Sequence, residues 1–334
     1  MKIVIKLLHI YSDKSIYLHL TYNCFRITAK KVSESLMKFQ PKTKGIILVI
    51  TGAMLWGISG TVAQYLFQKK SFSPEWLVVI RLLVSGLILL LYAFMKNKQN
   101  IWAIWKSEHT ILSLILFSII GILGVQYTYF AAIKYGNAST ATILQYLSPV
   151  LVTCYLIIRT KKMPNLKEIT AITLAILGTF FIITKGNIHS LSISKLALFW
   201  GISSAFAAAF YTLQPRPLLA KFGSILVVGW GMLIGGIAFS FVHQPWNIIG
   251  QWSITSIFAV IFIVLFGTLI AFCCYLESLN YIQPTEASIL SSVEPLSAAF
   301  LSVIWLHVPL GIHQWLGIAC IIFTVIILSY TKNK

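Results

Sequence analysis

Glu294 lies in an apolar run, residues 284–306, where a carboxylate is costly unless it faces a cavity or a partner. Ser288, Ser291, Glu294 and Ala298 recur at helical spacing and so share one face. There the carboxyl could exchange a proton or hold the ammonium group of a bound molecule. The plainer alternative is a hydrogen bond to backbone groups freed by Pro295. Arg81, the basic residue set deepest in an apolar run, could neutralise Glu294 or grip a carboxylate bidentately. Equally, it could snorkel to the headgroup region. Gln145 and Ser148 occupy the face in the first half of the chain that matches Ser291 and Glu294 in the second. Trp56 and Trp200, with Tyr65, Tyr127, Tyr129, Tyr146, Tyr211 and Tyr275, could floor a pocket for an apolar or cationic ligand, although most aromatics in bundles pack or anchor. Gln64 and Gln214 add amides, and Glu277 and Glu286 sit near the ends of their runs, where gate hydrogen bonding or simple exposure is expected.

Other chemistries are excluded by what is missing. The only aspartate is Asp13, outside every apolar run, so an aspartyl dyad has no second member. There is no HExxH, and the histidines never pair at ligand spacing within a run, so no metal site is expected. GxSxG elbows and phosphate-binding glycine loops with a lysine are also absent, which disfavours an intramembrane enzyme and direct ATP coupling; no cofactor is implied. Cys24, Cys154, Cys273, Cys274 and Cys320 lack ligand spacing and read as small packing residues.

The elements that must position these residues come in two copies. YFAAIKYGNASTATILQYLSP, starting at Tyr129, returns 146 positions later as YLESLNYIQPTEASILSSVEP, starting at Tyr275. The copies share Tyr129/Tyr275, Tyr135/Tyr281, Ala141/Ala287, Ile143/Ile289, Leu144/Leu290 and Pro149/Pro295, with Gly121/Gly267 just upstream. TrpGlyIleSer at Trp56 recurs at Trp200, displaced by 144, so two motifs repeat in one order at nearly one offset.

With 58% apolar and 10% charged residues and a mean hydropathy of +0.85, the chain reads as an all-α integral membrane protein. A net charge of +18 does not call for nucleic acid here, because the basic residues lie between apolar runs, where they set topology. Ten runs are long enough to cross a bilayer, at 45–67, 76–95, 110–133, 138–158, 168–184, 194–213, 223–242, 252–279, 284–306 and 312–330. Ser73-Pro74-Glu75, Met163-Pro164-Asn165 and Gln283-Pro284-Thr285 mark starts between them. The expected organisation is an N-terminal cytoplasmic extension (1–44), a first five-helix repeat (45–184) and a second (194–330). Residues 1–36 are too broken to span and lack a cleavage site, so an upstream extension or a cytoplasmic surface helix is expected rather than a signal peptide. Lys and Arg in alternate loops divide 16 to 5, which puts both termini in the cytoplasm. Five spans per half then make the repeats inverted, with a substrate site near the midplane where they meet.

The TrpGly pairs (Trp56-Gly57, Trp200-Gly201) and the runs before proline in the fourth span of each half resemble the drug/metabolite transporter superfamily, specifically its two-repeat EamA-type members. The resemblance covers residues 45–330. It implies a secondary active transporter, often an exporter of amino acids or other small metabolites, with a cavity lined by spans 1–4 and 6–9 and spans 5 and 10 at the periphery. The GlyGlu that often follows the fourth span is replaced here by Arg159-Thr160-Lys161 and His307-Val308-Pro309. Span 1 has no acidic residue, so Glu294 is the candidate for proton coupling. The implied partners are a small-molecule substrate and the lipid bilayer of the cell membrane, with a coupled proton and a homodimer kept open. A facilitative channel and a lipid flippase are the alternative functions.

Overall fold

A computed structural model describes residues 41–97, 101–161, 163–185, 193–282, 287 and 290–331. The extension to residue 40, Glu286, Ser288, the Gln283-Pro284-Thr285 start signal and the terminal lysines lie outside the described residues. The described chain is helical, and no strand occurs among the described residues. In order run α1 Pro41–Lys69, α2 Pro74–Asn97, α3 Glu108–Tyr135, α4 Ala138–Arg159, α5 Leu166–Thr184, α6 Lys195–Leu213, α7 Ser224–Ser240, α8 Ile254–Ser278, α9 Val293–Ile304 and α10 Ile312–Thr331. Seven are long and apolar enough to cross a membrane, and α7, α9 and α10 supply shorter apolar stretches. At 12 residues α9 is about 18 Å long by itself.

Helix starts follow local side-chain chemistry. Ser73 Oγ accepts the Trp76 N–H at 3.0 Å at the head of α2. Asn165 and Glu168 close a reciprocal cap on α5, as Ser253 and Ser256 do on α8. Asn137 caps α4 through the Thr140 N–H at 2.8 Å.

The span expected at 138–158 is present as Ala138–Arg159 but is broken within, and a matching break falls inside the run expected at 284–306. α4 is helical over Ala138–Gln145, turns at Tyr146 and Leu147, and restarts at Ser148. In the second half the described residues Ala287 and Leu290 are helical and turns at Ser291 and Ser292 precede Val293. The cause is the proline in each motif: Pro149 and Pro295 have no N–H to return to the carbonyl four residues back, so the preceding turn tightens. The Leu147 N–H thus bonds Leu144 O at 3.1 Å and the Glu294 N–H bonds Ser291 O at 2.9 Å. Glu294 therefore stands in the first turn of a helix, not in the middle of one.

A second irregularity also occurs in both halves. α3 and α8 each contain a wide π-helical segment, Phe117–Leu123 and Leu265–Ile270, and these hold the matched pair Gly121 and Gly267. Such turns leave backbone carbonyls free for other partners.

The packing exchanges under a swap of the halves. α1 packs on α8 and α9, and α6 packs on α3 and α4; α2 pairs with its counterpart α7, and α5 with its counterpart α10. Helices approach closely at the two TrpGly sites. A Cβ on Gly57 would land on Ser297 Oγ and 2.5 Å from Glu294 O, and one on Gly201 would meet the Leu144 side chain. Gly231 and Gly235 of α7 face α3 across Ile122 and Ser118.

Candidate functional site

A cavity of about 320 Å³ lies between the halves and is lined from α1, α2, α3, α4, α6, α8, α9 and α10. Trp56, Arg81, Gln145, Ser148, Ser291 and Glu294 all reach its wall. Trp200 does not: it packs edge-on against Tyr127 at 5.3 Å and against Phe199 at 5.0 Å. Trp56, by contrast, meets Phe272 at 5.1 Å and Tyr275 at 5.4 Å. The α3 counterpart of Phe272 is Gln126, which offers no ring, so the two tryptophans have different surroundings despite their matched motif.

Arg81 is 4% exposed and does not snorkel. Its Nε donates to Thr268 Oγ1 at 2.7 Å and its Nη2 to Gly267 O at 3.3 Å, both in the wide turn of α8. The guanidinium also lies over the Phe130 ring, 4.7 Å from its centroid. The buried Nη1 has no hydrogen-bond partner, and neither has the Ser59 Oγ on the same wall. Two of the guanidinium's five N–H donors and one of its faces are thus engaged by protein, and both N–H groups of Nη1 are left over.

Glu294 accepts from the Tyr146 hydroxyl at 3.1 Å, and the same hydroxyl lies 2.7 Å from Ser291 O. Gln145 reaches across to Ser204 of α6 at 2.8 Å. Tyr129, also on the wall, shares a hydrogen bond with Thr142 at 2.8 Å. Cation and carboxylate therefore occupy one chamber without being bonded to each other, since the hydrogen bonds of Arg81 go to α8.

Other polar residues are used structurally. Gln64 accepts the Ala138 N–H at 2.8 Å, and Gln214 donates to Ser113. Glu277 accepts from Tyr281 and Asn280, each at 3.1 Å, and Lys44 Nζ donates to Tyr281 Oη at 2.7 Å, which ties the start of α1 to the end of α8. Ser59, Gln126 and Phe130 join the wall without having been singled out in the sequence. Gln126 had a signal, being the position matched to Phe272 in a repeat otherwise rich in apolar pairs. Among the described residues no cluster of His, Cys, Asp and Glu could hold a metal ion.

The model of the EamA-like transporter family matches this chain twice, over residues 43–184 and 195–330. The chain belongs to the EamA-like transporter family. Among its relatives is an uncharacterized inner membrane transporter, YicL of Salmonella typhimurium, 42% identical over 291 residues that cover 87% of this chain and 97% of the relative. The uncharacterized transporter YwfM of Bacillus subtilis is 22% identical over 86% of this chain and 94% of its own length. A crystal structure of a protein 13% identical aligns over 88% of this chain and 100% of that one with a TM-score of 0.57, a likeness of fold alone. The EamA-like fold and these transporter relatives make the chain a multi-pass membrane transporter.

Proposed function

We propose that this chain is a secondary active transporter that exports amino acids or other small metabolites by alternating access. Its ten spans form two inverted five-helix repeats, residues 45–184 and 194–330, with both termini in the cytoplasm. What supports the inverted layout is the exchange of helix contacts between the halves together with the odd number of spans in each.

The observation that carries the substrate class is the chamber with a fixed cation from one repeat and a carboxylate from the other, Arg81 and Glu294. A zwitterion fits both: its carboxylate takes the spare Nη1 of Arg81 and the Ser59 hydroxyl, and its ammonium takes Glu294. Trp56, Phe272 and Tyr275 supply apolar area for a side chain. Glu294 alternates between a substrate cation and a proton, which couples export to proton entry.

The test is flux of radiolabelled amino acids in proteoliposomes holding the purified protein. Saturable uptake that is accelerated by unlabelled amino acid on the far side supports the carrier. A linear, non-saturating ion conductance with no counterflow would favour the channel instead.

A further inference from the structure

Tyr146 belongs to the first half, yet both acceptors within reach of its hydroxyl belong to the second. Oη lies 2.7 Å from Ser291 O and 3.1 Å from Glu294 Oε2. A phenol has one hydrogen to donate, so these acceptors compete for it. They stand on either side of one helix start. Ser291 O is the carbonyl four residues before Pro295, where the regular helical donor is missing, and it already takes the Glu294 N–H at 2.9 Å. Tyr129 is not a rival donor, because its hydroxyl is engaged with Thr142 at 2.8 Å. The position in the second half that matches Tyr146 is Ser292, whose buried Oγ has no hydrogen-bond partner, so the arrangement exists once.

We propose that Tyr146 is a positioning residue that moves its single hydrogen between Ser291 O and Glu294 Oε2 as the carboxyl gains and loses a proton. The main-chain tether between α4 and α9 is then made in one protonation state and released in the other. With Glu294 neutral, its carboxyl O–H donates to Tyr146 Oη and the Tyr146 O–H donates to Ser291 O. When the carboxyl proton leaves to the cavity, Tyr146 turns its O–H onto the carboxylate. Ser291 O keeps only the Glu294 N–H, and the phenol stays protonated throughout. The groups that act on Glu294 are Arg81 from α2, Tyr129 from α3, Tyr146 from α4 and Tyr275 from α8; α1 brings Gly57 against the Glu294 carbonyl and Trp56 to the same cavity wall, and neither titrates. Within a transporter this links proton binding to the contact between repeats, and that use rests on the transport reading, whereas the switch itself does not.

The experiment is an infrared pH titration of the full chain in lipid bilayers, with ring-deuterated tyrosine to mark the phenol bands. Tyrosine and carboxyl bands should change with one midpoint, and both changes should vanish in Glu294→Gln. In Tyr146→Phe the tyrosine change should be lost and the carboxyl midpoint should move by about one pH unit or more, a tenfold change in proton affinity. A tyrosine band that stays constant while the carboxyl titrates, or that titrates unchanged in Glu294→Gln, overturns the switch, and wild type against Glu294→Gln decides this even if Tyr146→Phe does not fold. None of these bands needs a substrate. Linked bands without transport would retain the switch and discard the transport reading; transport with a silent tyrosine would do the reverse.

Discussion

Arg81 and Glu294 sit at the centre of the site, and the two are held differently. The guanidinium is locked by Thr268 and Gly267, so its charge and its fork geometry both matter. Arg81→Lys keeps the charge and loses the fork; its apparent substrate affinity should fall about tenfold or more, the loss expected for a charged hydrogen bond of about 1.5–3 kcal/mol. Arg81→Gln should fall further, with initial uptake rates over a substrate series as the measurement. Equal affinity for Arg81→Lys and wild type would show that only the charge is used. Glu294→Gln preserves the shape and removes titration. Its transport rate should lose the wild-type pH dependence in proteoliposomes under imposed pH gradients, and a full rate with unchanged pH dependence would exclude Glu294 from coupling. Both charges were legible in the sequence because a charge in an apolar run is costly and must be accounted for. Their partners were not. Thr268 is 187 positions from Arg81 and Ser291 O is 145 from Tyr146, and no pattern along the chain encodes such pairs.

At the scale of helices, the apolar runs match both ends of nine of the ten helices to within about four residues, because burial in lipid demands unbroken apolar length. The same criterion hid the breaks. Tyr146-Leu147 and Ser291-Ser292 interrupt runs whose hydropathy continues across them, and only the prolines that follow betray the lost N–H. Wide turns in α3 and α8 left even less trace, a matched glycine in each. The TrpGly pair shows how matched motifs come to differ in packing. On Gly57 an added methyl meets backbone, Glu294 O at 2.5 Å, which cannot move without shifting α9. On Gly201 the nearest atoms are all in the Leu144 side chain, which can turn aside. Gly57→Ala should therefore destabilise the protein by about 1–3 kcal/mol through overpacking and depress transport strongly, whereas Gly201→Ala should be the milder of the two. Thermal unfolding in detergent and uptake rates of both variants check this. A milder Gly57→Ala would mean that α1 and α9 do not approach as closely as the structure has them.

For the whole molecule, duplication supplies a near-symmetric frame in which single positions diverge: Ser148 against Glu294, Tyr146 against Ser292, Gln126 against Phe272. A symmetric frame with an asymmetric lining suits a carrier, since both mouths can be built alike while one set of charges serves both. Inversion makes this testable without a substrate. The loops after the fourth helix of each half are equivalent, and if the halves run in opposite directions these two loops lie on opposite faces of the membrane. Met163, 93% exposed in the first such loop, and Pro309, exposed in the second, are suitable reporters. In a background with the native cysteines replaced by serine or alanine, Met163→Cys should react with a membrane-impermeant maleimide only after the cytoplasmic face is opened. Pro309→Cys should react from outside intact cells. The 16 to 5 division of basic residues between alternate loops is the reason for expecting the first loop inside, so the reverse pattern would keep the inversion and overturn the orientation. Labelling of both from one face would remove the inversion itself, and with it the reason for expecting the substrate site near the midplane where the halves meet.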